Sequence, residues 1–160
     1  MSIVKDKNLA PSGIKKIEWV KSYMPVLSAI GERFKKERPF ENKTIAMSIH
    51  LEAKTAYLAL TLAAGGAKVY ATGCNPLSTQ DDIAAALCEL GIETFAIRGA
   101  NEEEYTAHLT EALKCKPDIM IDDGGDLVAI LHGAHPELGE NLLGGCEETT
   151  TGVARLAARA

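Results

Sequence analysis

A three-layer α/β domain with a parallel sheet of at least four strands is the fold that this sequence predicts, and three observations carry the prediction. Short apolar runs at 44–49, 67–71, 93–97 and 118–122 start every 23 to 26 residues. Alanine- and leucine-rich stretches long enough for helices lie between them. Strands joined through such helices run parallel, and their crossovers are right-handed. A chain of 160 residues is one domain's worth and buries roughly two thirds of its unfolded surface.

The elements follow in order. A polar leader precedes an amphipathic helix expected over 14–36, where Ile17, Val20, Met24, Leu27, Ile30 and Phe34 recur at helical spacing. Pro25 lies inside it and cannot donate a backbone hydrogen bond, so the helix kinks or restarts there. Pro39 closes the region. Residues 1–40 are therefore expected to be a leader and helix packed on an α/β body formed by 41–160.

TIAMSI is the first predicted strand, and EAKTAYLALTLAAGG the helix after it. AKVYA is the second strand, and TQDDIAAALCELG the next helix, stopped by Gly91. ETFAI is the third strand. The following helix opens on Asn101 with Glu104 three residues on, the pattern of a capping box. Pro117 precedes the fourth strand, DIMID, and a short helix is expected from Asp126. Beyond Ala134 the rhythm weakens to a strand or turn around Leu142 and Leu143, a threonine cluster, and a helix starting near Val153. The chain stops where that helix has barely begun, which points to a piece of a longer protein.

Composition narrows the function. With 46% hydrophobic and 24% charged residues the chain is an ordinary globular domain, and its net charge of -5 argues against nucleic acid as a partner. The one dense basic run, Lys35, Lys36 and Arg38, is interleaved with Glu37 and Glu41 and reads as a solvated helix end. Cys74, Cys88, Cys115 and Cys146 show no paired metal or redox spacing, so free thiols and no metal site are expected. The first residues lack the apolar stretch of a signal peptide, and no run is long enough to cross a bilayer. A cytoplasmic protein without a membrane partner is the expectation.

Open parallel sheets bind ligands beyond the carboxyl ends of their strands. The segments found there are rich in polar groups. His50, Glu52 and Lys54 follow the first strand; Cys74, Asn75, Ser78, Thr79, Gln80 and Asp81 follow the second; Asp122, Asp123 and Asp126 follow the fourth. Some of these have structural readings as well: His50 as a cap, Ser78, Thr79 and Asp81 as first-turn residues, and Cys74 and Asn75 as a turn before a proline. The DDGGD run combines repelling carboxylates with glycines suited to a tight turn, and a magnesium site competes with an acid/base site there. Glu147, Glu148 and Thr149 to Thr151 form a further acceptor-rich patch, while His108, His132 and His135 read as surface or helix residues. No glycine-rich dinucleotide fingerprint occurs: the pairs beginning at Gly65, Gly124 and Gly144 lack its spacing.

SIHLEAKTA (48–56), CNPLSTQDD (74–82), EEEY (102–105), DDGGD (122–126) and EETTTGV (147–153), with MPVL (24–27) before them, resemble in order and spacing the amino-terminal part of the S-adenosylhomocysteine hydrolase family. The resemblance implies a Rossmann-like substrate domain lying ahead of a separate NAD-binding domain, and a homotetrameric parent enzyme. It also implies reversible hydrolysis of S-adenosylhomocysteine to adenosine and homocysteine, through transient oxidation of the ribose 3′-hydroxyl by NAD, elimination and water addition. By resemblance, His50 and Asp123 are the proton-transfer residues, and Glu148 is a ribose ligand. Cys74 and Asn75 stand at the cofactor–substrate junction, and Thr149, Thr150 and Thr151 reach toward NAD. Eukaryotic members read His-Met-Thr-x-Glu/Gln-Thr where this chain reads His50, Leu51, Glu52, Ala53, Lys54 and Thr55, the version of a bacterial and archaeal branch. Glu52 and Lys54 thus fall at the base end, where adenosine and related purines such as inosine are both open. Without the cofactor domain this chain is expected to be inactive; the alternative is a free-standing nucleoside-binding or regulatory half-protein.

Overall fold

In the computed structural model, which describes residues 1–159, six strands form one wholly parallel sheet. β1 (Ile3–Val4) leads through a 3-10 turn into α1 (Ala10–Lys21) and α2 (Pro25–Glu37). Then β2 (Thr44–Ile49), α3 (Ala53–Ala64), β3 (Lys68–Gly73), α4 (Asp81–Glu89), β4 (Glu93–Ala96), α5 (Glu102–Leu113) and β5 (Ile119–Asp122) alternate. α6 (Asp126–His132), a second 3-10 turn, β6 (Gly144–Glu147) and α7 (Thr150–Ala157) complete it.

The spatial order is β1-β4-β3-β2-β5-β6. From β2 the chain steps outward to β3 and β4, then returns past β2 to place β5 on its other side. With right-handed crossovers, that reversal puts α3 and α4 on one face of the sheet and α5 and α6 on the other. The alternation along β2 shows both faces buried. Ile45, Met47 and Ile49 pack with Ile83, Leu87 and Leu62 on one side, while Ala46 packs with Leu109, Leu113, Leu127 and Met120 on the other.

Of the two outcomes open at Pro25, the helix restarts: α1 and α2 are separate, and Pro25 takes the first turn of α2, where a missing N–H costs nothing. Two details differ from the sequence reading. The leader is not featureless, because Ile3 and Val4 pair in parallel with Phe95 and Ala96 at the sheet edge. The last strand lies at Gly144–Glu147 rather than around Leu142 and Leu143, and α7 begins at Thr150, ahead of Val153. The capping box is formed: the Asn101 side chain accepts from Glu104 N, and Glu104 accepts from Asn101 N, each at 2.9 Å. No helix among the described residues is long and apolar enough to cross a membrane.

Candidate active site at the reversal of strand order

Four strand ends deliver the polar residues to one edge. Ile49, Gly73, Asp122 and Glu147 end β2, β3, β5 and β6, and His50, Cys74, Asp123 and Glu148 follow them directly. Between β2 and β5 the order reverses, which opens the crevice where such sheets take ligands.

His50, Cys74 and Asp123 meet there. The Cys74 thiol donates to Asp123 Oδ2 at 3.0 Å, and His50 Nε2 lies 3.7 Å from the same oxygen. The other ring nitrogen, Nδ1, is 2.5 Å from Ser78 Oγ. The Asp123 side chain is 9% exposed, whereas His50 reaches into the open crevice at 52%. Burial, reinforced by the hydrogen bond to Asp123 and that residue's charge, pushes the Cys74 thiol far above its ordinary range and keeps it protonated.

The neighbouring carboxylates hold the loop. Asp122 accepts from Asp123 N at 3.0 Å and from Val128 N at 3.2 Å, yet burial outweighs both bonds and raises its pKa to about 6. The Tyr105 hydroxyl shares its hydrogen between the Cys74 carbonyl at 2.9 Å and Asp126 Oδ2 at 3.0 Å. Arg155 pairs with Asp126 Oδ1 at 2.9 Å and also bonds the Gly124 carbonyl. Gly124 and Gly125 turn the loop at φ 102° and 78°, a left-handed path that glycine takes without strain.

Glu147 is a staple for that turn. Its Oε1 accepts from Gly124 N at 2.8 Å and from Thr149 N and Oγ1 at 2.9 Å. Although burial works against it, these donors hold the carboxyl below its usual range. Gly152 is required opposite, since a Cβ there would run into the Glu147 carboxylate. The Thr149 hydroxyl is committed, donating to Glu147 and accepting from Gly152 N as the cap of α7. Thr150 and Thr151 are exposed on the first turn.

The base-end residues have mixed duties. Glu52 caps α3, its Oε1 accepting from Lys54 N at 3.0 Å and Thr55 N at 3.2 Å. Glu52, Lys54 and Glu148 also line a cleft of about 780 Å³ whose apolar wall includes Met24, Leu27 and Leu58. Asn75 Oδ1 accepts from Leu77 N at 2.8 Å, closing an Asx turn that fixes the side chain and leaves its amide nitrogen for a ligand.

Tyr105 and Arg155 are site residues to which the sequence reading gave no role at the site, and Ser78, which it placed at the crevice edge, has a more specific one. Ser78 looked like a helix cap, but α4 starts three residues later and Ser78 instead holds His50. His108 lies on α5 but is buried, and burial lowers its pKa. No metal site was expected, yet His50, Cys74 and Asp123 each offer a ligand atom within 4.8 Å of the others. Sequence spacing hides that group because its members come from three separate strand ends.

A family model described as S-adenosyl-L-homocysteine hydrolase matches residues 1–139. The S-inosyl-L-homocysteine hydrolase of Methanococcus maripaludis is 58% identical over 156 residues, covering 98% of this chain and 38% of its own. The adenosylhomocysteinases of Pyrococcus abyssi and Aquifex aeolicus are each 53% identical, over 97% and 98% of this chain and 37% and 38% of theirs. The chain thus spans less than two fifths of the length of these curated relatives.

Proposed function

The chain belongs to the S-adenosyl-L-homocysteine hydrolase family, and from that premise we propose that it forms the substrate side of an enzyme that reversibly hydrolyses a purine nucleoside–homocysteine thioether. The observation that carries the proposal is the convergence of His50, Cys74 and Asp123 at the reversal of strand order, beside the cleft lined by Glu52, Lys54 and Glu148. Relatives named for the S-inosyl and the S-adenosyl substrates match at similar identity, so the shared substrate class is the 6-substituted purine nucleoside thioether of homocysteine.

NAD would be held by chain beyond the described residues, since the glycine turn that joins β5 to α6 lacks the spacing of a dinucleotide fingerprint. Thr150 and Thr151, exposed at the start of α7, suit contacts with a cofactor approaching that edge. When bound, NAD supplies reversible oxidation of the ribose 3′-hydroxyl, which acidifies the neighbouring 4′ hydrogen. The residues of this chain supply positioning and proton transfer.

Glu148 binds ribose hydroxyls as an acceptor. Asp123, shielded from water and hydrogen-bonded to Cys74, holds or takes up a proton beside the sugar. His50 Nε2 reaches further into the crevice, delivers a proton to the departing sulfur and removes one from the incoming water. Ser78 anchors the opposite ring nitrogen and so fixes the direction of Nε2. Cys74 and the Asn75 amide border the junction with the cofactor.

Calorimetric titration with adenosine and inosine, followed by an assay with the thioether and free NAD, tests this. We expect nucleoside binding that is lost in Glu148→Ala, with no turnover by the 160-residue chain. Substantial turnover by this chain with free NAD would overturn the assignment of hydride chemistry to a further domain. Absence of nucleoside binding would overturn the substrate side.

A further inference from the structure

We propose that the crevice is also a binding site for a thiophilic divalent cation, zinc in the first instance, held by His50 Nε2, Cys74 Sγ and Asp123 Oδ2. One donor atom from each residue lies within 4.8 Å of the other two, and Sγ is 3.0 Å and Nε2 3.7 Å from Oδ2. Zinc bonds of about 2.0–2.3 Å in tetrahedral geometry set neighbouring ligand atoms roughly 3.2–3.7 Å apart. The pairs about Oδ2 already bracket that range.

The donor set chooses the ion. One sulfur, one imidazole nitrogen and one carboxylate oxygen suit zinc and oppose magnesium or calcium, which want a shell of oxygens. The resting thiol donates its hydrogen to Asp123, so a cation entering between sulfur and oxygen takes the place of that hydrogen and releases a proton. The fourth position faces the open crevice and is left for water.

The supporting contacts are those of a metal site. A ligating histidine directs its second ring nitrogen to an oxygen partner, and His50 Nδ1 is 2.5 Å from Ser78 Oγ. Tyr105 pins the Cys74 backbone, while Asp122 accepts from Asp123 N. All three ligands leave rigid strand ends. The ion would occupy the atoms to which the proposed reaction assigns proton transfer; a block of turnover rests on that reading, but the site does not.

The test is titration of the metal-free protein with cobalt(II), read by its sulfur-to-cobalt charge-transfer absorption, and then displacement by zinc. One equivalent is expected, with the absorption lost in Cys74→Ser and kept in Cys146→Ser, which removes the exposed thiol. His50→Gln and Asp123→Asn leave the thiol in place and should each weaken zinc by about tenfold or more, and Ser78→Ala by about tenfold. Calorimetry in buffers of different ionisation heat should show proton release. No charge-transfer absorption, absorption that survives Cys74→Ser, or unchanged zinc affinity in both His50→Gln and Asp123→Asn would overturn the site. None of these readouts needs nucleoside or turnover, so failure here is distinct from failure of the hydrolase reading.

Discussion

Cys74 and Asp123 share a 3.0 Å hydrogen bond although their strands are not neighbours: β2 runs between β3 and β5. The contact is made above the end of β2, where His50 leaves the sheet. It closes the crevice floor under the histidine and brings thiol, imidazole and carboxylate together. The reversal of strand order, rather than any local turn, creates this arrangement.

The four thiols should react very unequally. Cys146 is exposed on the edge strand, whereas burial and Asp123 keep Cys74 protonated, and burial pushes Cys115 up to about 12. Because the thiolate is the nucleophile, alkylation followed by mass spectrometry should label Cys146 first. Asp123→Asn removes the charge facing Cys74 and should speed its labelling several-fold; an unchanged rate would show that the carboxylate does not restrain the thiol.

In the parent enzyme, His50→Ala and Asp123→Asn should each lower turnover by about 10²–10⁴, the range for a positioned acid or base. Nucleoside affinity should change far less. If either variant lost affinity and kept its turnover, that residue would be a binding group and not a proton carrier.

Asp122 gives stability a pH dependence of definite sign. Its folded pKa of about 6 lies above the ordinary 3.8, so between these values the folded state holds the extra proton. Stability from this group therefore falls as pH rises from about 4 to 6 and stays low above that. Asp122→Asn removes the titration. The difference in unfolding free energy between wild type and variant should decline by on the order of 2–3 kcal/mol from pH 4 to 7. Urea denaturation of both proteins across that range measures it, and a constant difference would contradict the burial argument.

Asn101 and Glu104 satisfy two donors at the start of α5. Asn101→Ala should cost about 1 kcal/mol, seen by thermal unfolding as a drop of roughly 2–4 °C.

Much of this was legible because parallel strands buried on both faces leave an unmistakable rhythm, and because residues directly after strands face the crevice. That rule put His50, Cys74 and Asp123 among the candidates, and the family resemblance gave them roles. β1 escaped because two residues, Ile3 and Val4, leave no period, and β6 because GGCE lacks the β-branched residues that mark a strand. Tyr105 and Arg155 could not be placed in advance, since they bond a carbonyl or a carboxylate brought close only by tertiary packing. Glu52 shows the opposite difficulty: a residue expected at the base end also caps α3, so its charge is partly spent on the helix.

On the proposed function, Lys54 is the group expected to set purine preference. It lines the cleft beside Glu52, is exposed, and offers hydrogens only, whereas a glutamate or glutamine at that place offers an acceptor. Adenine presents an amino donor at C6 and hypoxanthine presents a carbonyl acceptor. An ammonium facing C6 pairs with the carbonyl and leaves the amino group unmatched, and a net hydrogen bond is worth about 1 kcal/mol. Inosine should therefore bind more tightly than adenosine, by about fivefold. Lys54→Gln, whose amide can both donate and accept, should narrow the ratio, and Lys54→Glu should reverse it. Equal binding of the two nucleosides by wild type and both variants would place Lys54 away from C6.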